Sequence, residues 1–172
     1  MAKINTLHIA GLYDIFLSSH PIENVRENER KRAILKFIDT LKRKEIRTVV
    51  VLLPSHEIKH LYGEINLLEL YKNGGLEVIH FPLENFSVPD KIERFHACIT
   101  VIVEKLHQHS ILIHCIAGCG RTGMMAAGVL VKTGWNATDA IEKVRQSRPG
   151  SMDVLRQILF LRSYQRFLQD RA

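Results

Sequence analysis

Apolar and polar positions divide the chain into alternating strand-like and helix-like stretches. Ile4 to Ala10 and Ile15 to Ser18 read as short strands on either side of the turn-like Gly11-Leu12-Tyr13-Asp14, and together they predict one edge of a sheet. Between Glu27 and Lys44 the apolar residues Ala33, Ile34, Phe37, Ile38 and Leu41 recur at helical spacing, which predicts an amphipathic helix. Thr48 to Leu53 is β-branched and apolar almost throughout, as a strand buried on both faces should be, and Pro54 and Ser55 end it. Two shorter helical candidates follow, around Ile58 to Tyr62 and Leu67 to Lys72, the second stopped by Asn73-Gly74-Gly75.

A further apolar strand, Leu76 to Phe81, runs into the proline-bracketed loop from Pro82 to Pro89. Asp90 is placed to cap a helix reaching about His109, on which Cys98 falls at core spacing between Phe95 and Ile102. His107 and His109 at its end lack the further ligands of a metal site, so a solvent-facing helix end is expected. Ile111 to His114 is the next strand, and a helix runs from Arg121 to Thr133. Asn136-Ala137-Thr138 opens another that breaks at Arg148-Pro149-Gly150, with Arg148 placed either to cap it or to contact substrate, and Met152 to about Gln169 is the last. This alternation implies an α/β fold in a single domain spanning 1–172, a central, mostly parallel sheet flanked by helices. In such sheets reactive groups lie beyond the carboxyl ends of the strands.

At 172 residues, 46% of them apolar, the chain is long enough to bury its own core. No apolar run reaches the length of a bilayer span, and Met1-Ala2-Lys3-Ile4-Asn5 does not start a signal peptide, so a cytoplasmic location away from membranes is expected. Three cysteines, Cys98, Cys115 and Cys119, form no disulfide framework, which fits a reducing compartment. The net charge of +6 favours acidic partners, but the densest basic cluster, Arg30-Lys31-Arg32 through Lys42-Arg43-Lys44, is interleaved with apolar residues on a helical period. That cluster reads as a solvated helix face, and nucleic acid is not expected as a partner. Nothing in the pattern demands an oligomer, and a monomer is expected.

The chemistry concentrates at the junction between the Ile111–His114 strand and the helix after it. His114-Cys115-Ile116-Ala117-Gly118-Cys119-Gly120-Arg121-Thr122-Gly123 delivers a cysteine into a glycine-punctuated turn that ends in an arginine. Such a turn cradles an anion: the main-chain N–H groups from Cys115 through Ile116, Ala117, Gly118, Cys119 and Gly120 to Arg121 point inward, the helix adds the positive end of its dipole, and the Arg121 guanidinium supplies a planar fork of donors. The same groups favour a thiolate over a thiol at Cys115 and stabilise charge on a phosphoryl group in flight, which implies a phosphocysteine intermediate. Thr122 is placed to donate its hydroxyl to the sulfur. Cys119 reads as a small residue at a variable loop position, not a second nucleophile.

His114-Cys115-x-x-Gly118-x-x-Arg121-Thr122-Gly123 resembles the signature of the cysteine-dependent protein tyrosine and dual-specificity phosphatases. The resemblance covers most of the chain. Leu68-Glu69-Leu70-Tyr71, His80-Phe81-Pro82-Leu83 and Arg148-Pro149-Gly150-Ser151 look like the compact dual-specificity group of the kinase-associated type. It implies a phosphatase needing neither metal nor cofactor, with Cys115 as nucleophile, Arg121 as phosphate clamp, His114 and Thr122 tuning the thiolate, and Gln157 positioning water. The implied substrate is a phosphoprotein, a protein kinase among the candidates. Ile116, Ala117 and Cys119 carry no charge where inositol-lipid phosphatases of similar type often carry lysine, which tilts the reading toward phosphoprotein.

The sequence departs from the family pattern at one position. The family carries a general-acid aspartate in a Pro-x-x-Asp setting, and Pro82-Leu83-Glu84-Asn85 places an asparagine there. Asn85 has no proton to give a leaving oxygen, and general acid catalysis contributes about two to four orders of magnitude. Glu84 next to it, Asp90 at the helix start, or no acid at all are the alternatives, with Glu84 the favoured candidate. The last would make the chain a weakened phosphoprotein-binding module. A sulfur-transfer domain built on a similar cysteine loop is disfavoured because Arg121-Thr122-Gly123 suits a phosphate dianion.

Overall fold

The computed structural model describes residues 2–171. Five strands, β1 (Ile4–Leu7), β2 (Ile15–Ser18), β3 (Ile46–Val51), β4 (Glu77–His80) and β5 (Ser110–His114), form one sheet in the order β1-β2-β5-β3-β4. The pairs β2–β5, β5–β3 and β3–β4 are parallel, so the expected α/β arrangement with a mostly parallel sheet is present. Only the edge strand β1 runs antiparallel, because it returns to β2 through a short connection that a parallel pair could not use. The central strand β5 buries Ile111, Leu112 and Ile113 completely. A parallel strand covered on both faces needs such an unbroken apolar run.

Helices α1 (Arg30–Arg43) and α3 (Leu67–Asn73) pack on one another and against β3 and β4. Helix α5 (Gly120–Lys132) lies against β2 and β5 and is enclosed by α4 (Ile92–Leu106), α6 (Ala137–Ser147) and α7 (Leu155–Gln169). The amphipathic α1 buries Ile34, Phe37, Ile38 and Leu41, the stripe that its spacing predicts, whereas every residue of α5 from Arg121 to Val131 is buried. A helix covered all round belongs to the core. A Cβ at Gly128 would lie 2.5 Å from the Phe95 ring, so α4 and α5 approach more closely than a larger residue would permit. Among the described residues no helix is long and apolar enough to cross a membrane.

Several boundaries differ from the sequence reading for local reasons. Strand β1 stops at Leu7, since Leu12 N–H donates to the Ile9 carbonyl and turns the chain before Ala10 can pair. A single turn of 3-10 helix over Glu27–Glu29 precedes α1. Helix α2 (Ser55–Tyr62) begins directly after Pro54, and β3 starts earlier, at Ile46. Asp90 does not cap α4: Lys91 occupies the cap position with extended backbone, and the Asp90 carboxylate reaches forward to Arg94 at 3.4 Å. Met152, expected in the last helix, has φ +61 and lies buried before it, so α7 starts only at Leu155. His107 is exposed, whereas His109 is half-buried, its Nε2 2.7 Å from the Thr48 hydroxyl, which also bonds Glu77 on the neighbouring strand.

Candidate active site

All four parallel strands end at the same side of the sheet, and Cys115 follows β5 at the centre of that side. The loop it begins is held from below. His20 N–H donates to the Ile116 carbonyl at 3.0 Å, and the Arg148 guanidinium donates to the Ala117 carbonyl at 2.8 Å while also binding Asn5 Oδ1 on β1 and the Lys3 carbonyl just before it. These bonds tie the Ile116 and Ala117 carbonyls to groups outside the loop. Arg148 is therefore a brace under the loop.

Gly118 has φ +74, and a Cβ there would lie 2.2 Å from the Ser18 carbonyl oxygen at the end of β2. Only glycine satisfies both the left-handed backbone and that close approach. The outcome is chemical: Gly118 N–H donates to Cys115 Sγ at 3.2 Å. Thr122, expected to bond the sulfur, is buried in the first turn of α5 with its Oγ1 unpartnered, and the donor on the sulfur is the amide that the left-handed turn aims there.

The concavity above Cys115 has a volume of about 240 Å³, and its walls include Ile116, Ala117, Cys119, Gly120, Arg121, Asn85, Phe86, Asp153 and Gln157. Arg121 is only 2% exposed, an unusual position for a guanidinium. Its NH1 donates to the Glu57 carboxylate on α2 and to the Leu83 carbonyl, each at 2.8 Å, while its buried Nε has no protein partner. One edge of the fork is thus anchored and another polar atom is left for an anion. Glu57 has no motif around it and was not legible in the sequence. Gln157 is completely buried, its Nε2 donating to the Ser87 carbonyl and its Oε1 free and 3.3 Å from where a Cβ at Gly120 would stand. That oxygen can accept a hydrogen bond from water beside the loop.

Behind Cys115, His114 is completely buried, with Nε2 3.2 Å from the Tyr71 hydroxyl and Nδ1 3.4 Å from the Cys115 carbonyl. Burial pushes the imidazole down to about 4 and the Tyr71 hydroxyl well above its usual value, so both are neutral at physiological pH. The network then assigns Nδ1–H as donor to Cys115 and Nε2 as acceptor from Tyr71. Cys98, half-buried on α4, has its thiol pushed up to about 12 by desolvation and is no second nucleophile. Cys119 lies 3.6 Å from the Ala117 carbonyl in the loop itself.

Of the candidate acids, neither Glu84 nor Asp90 lines the concavity. Asn85 reaches the pocket wall, its Oδ1 accepting from Phe86 N–H at 3.1 Å. Glu84, one residue earlier, turns away from the pocket to His56 at 3.5 Å, with its side chain 65% exposed. In Asp90 burial acts upward, but hydrogen bonds from Arg94 and nearby backbone outweigh it and hold the carboxyl below its usual range, at a distance from the pocket walls. A larger concavity of about 620 Å³ between the end of α5 and α7, lined by His96, Lys132, Trp135 and Arg171, has no cysteine in its wall.

A family model described as "Polymorphic toxin system, DSP-PTPase phosphatase" matches residues 25–135. Protein tyrosine phosphatase domain-containing protein 1 of Mus musculus is 25% identical over 168 residues, covering 93% of this chain and 22% of that protein. The probable protein tyrosine phosphatase type IVA A of Dictyostelium discoideum is 37% identical over 92 residues, covering 52% of this chain and 55% of its own length. The chain thus spans between 22% and 55% of the length of these relatives. Among solved structures, the kinase associated phosphatase with its catalytic-site cysteine replaced by serine superposes with a TM-score of 0.84 at 24% identity, covering 98% of this chain and 96% of that one.

Proposed function

Because the chain belongs to the cysteine-based tyrosine and dual-specificity phosphatase family, we propose that it hydrolyses phosphotyrosine, and phosphoserine or phosphothreonine, in proteins through a phosphocysteine on Cys115. The observation that carries this reading is the Gly118 amide at 3.2 Å from Cys115 Sγ, at the floor of a concavity whose wall also holds the anchored Arg121. The loop amides and α5 N-terminus receive the phosphoryl oxygens, and Arg121 orients them for in-line attack by sulfur. The exposed Phe86 ring at the mouth offers an apolar wall for a substrate side chain. The absence of cationic side chains at Ile116, Ala117 and Cys119 favours a phosphoprotein over an inositol lipid. A protein kinase is the partner suggested by likeness to the kinase associated phosphatase.

The test is turnover of a phosphotyrosine peptide in the presence of chelator. Wild-type protein releases phosphate, and Cys115→Ser releases none while still binding tungstate. Activity that persists in Cys115→Ser would overturn the reading. The amide of Asn85 at the pocket wall favours a second reading, a phosphoprotein-holding module with slow turnover. A gain of about 100-fold in Asn85→Asp would support it.

A further inference from the structure

We propose that Asp153 is the general acid and base of this site, replacing the aspartate that Asn85 lacks. This rests on the phosphatase reading above. Among the described residues Asp153 is the only carboxylate in the wall of the concavity over Cys115, which it shares with Arg121 and Gln157. The two acids nearer to the usual position are engaged elsewhere, Glu84 with His56 and Asp90 with Arg94. Among the described residues no cation pairs with Asp153.

The backbone that carries Asp153 is rigidly held. Arg145 on α6 donates to the Ser151 and Met152 carbonyls at 3.3 and 2.9 Å. Ser151 and Met152 are both buried, and their side chains pack so tightly on α5 that a Cβ at Gly123 would meet them at 3.1 to 3.2 Å. Asp153 is the first exposed residue after them and precedes Val154, the cap of α7. Gln157 follows in the first turn of the same helix, its free Oε1 beside Gly120. One short segment thus presents a carboxyl and a water-accepting amide oxygen to one pocket. An acid held by a braced backbone loses little on reaching its working position.

In the first step the Cys115 thiolate forms the S–P bond as the P–O bond to the substrate breaks, and the departing oxygen takes the Asp153 proton. In the second, a water accepted by Gln157 Oε1 attacks phosphorus and passes its proton to the Asp153 carboxylate. The S–P bond breaks, releasing inorganic phosphate and restoring both the thiolate and the protonated carboxyl. The two half-reactions return every group to its starting state.

The experiment compares kcat/KM for a phosphotyrosine peptide with that for an aryl phosphate whose electron-poor phenol leaves without protonation, in wild type, Asp153→Asn and Glu84→Gln. Asp153→Asn is expected to lower the peptide value about 100-fold and the activated substrate far less, and to remove the basic limb of the pH profile. Glu84→Gln is expected to change neither. An unchanged substrate ratio and basic limb in Asp153→Asn overturns the proposal, as does their loss in Glu84→Gln. If wild type turns over neither substrate, the phosphatase reading fails and this proposal with it; if wild type is active and Asp153→Asn is indistinguishable from it, only this proposal fails.

Discussion

Replacing Gly118 by alanine probes the cradle at its most crowded point. The added Cβ would lie 2.2 Å from Ser18 O, 2.3 Å from Ser18 C and 2.6 Å from Ser19 N. Even a close C–H···O contact needs about 3.3 Å, so the two segments must part by about 1 Å. Strand β2 is hydrogen-bonded on both sides and Ser18 is completely buried, so the catalytic loop is the part that moves. The Gly118 amide, now 3.2 Å from Cys115 Sγ, is then carried beyond hydrogen-bond range. Loss of one preorganised donor to a developing oxyanion costs roughly 100-fold to 1,000-fold in kcat, and losing this donor to the sulfur is expected to cost about 100-fold.

Backbone strain alone is separable by a control. Gly11 has φ +80 with nothing within 4 Å of a built Cβ, so Gly11→Ala suffers the left-handed penalty without a clash. That penalty is about 1 to 2 kcal/mol. Urea unfolding of the two variants should therefore show Gly118→Ala destabilised beyond Gly11→Ala, and aryl phosphate kinetics should show the rate loss only in the former. Equal unfolding free energies, together with wild-type kcat in Gly118→Ala, would refute the packing argument.

Two other perturbations test the surroundings. Burial holds folded His114 at about 4 against 6.5 when unfolded, so between these values the unfolded chain binds more protons and stability falls as pH falls. From pH 7.5 to 5 the loss from this residue is about 2 kcal/mol at 1.36 kcal/mol per unit. His20, His96 and His109 are also shifted down by burial and act in the same direction. Urea titrations at both pH values, with His114→Gln losing much of the slope, check it; a pH-independent midpoint contradicts it. Glu57→Ala leaves the nearly buried Arg121 without its 2.8 Å partner, which should cost about 3 kcal/mol in unfolding free energy. It should also lower kcat/KM about tenfold, because the guanidinium loses its fixed orientation.

The strand, the turn and the helix around Cys115 are legible from the chain alone because the motif is local: its cysteine, glycines and arginine lie within a few consecutive residues. The α/β class was legible for the same reason, since the periods of α1 and β5 are properties of short segments. Where a local rule met competition, tertiary contacts prevailed: Asp90 chose Arg94 over the helix cap, and Met152 left the helix to fill the space beside Gly123.

What lies across sequence distance was decided only by folding. Glu57 reaches Arg121 from α2, Arg148 joins β1 to the Ala117 carbonyl, and Asp153 arrives at the pocket from the segment before α7. None of these carries a motif, because a carboxylate or guanidinium acquires its role from the partner packed against it. The loop from Cys115 to Arg121 was thus written locally. The groups that anchor Arg121, brace the loop and bring Asp153 to the pocket wall depend on where the sheet and helices place residues far apart in the chain.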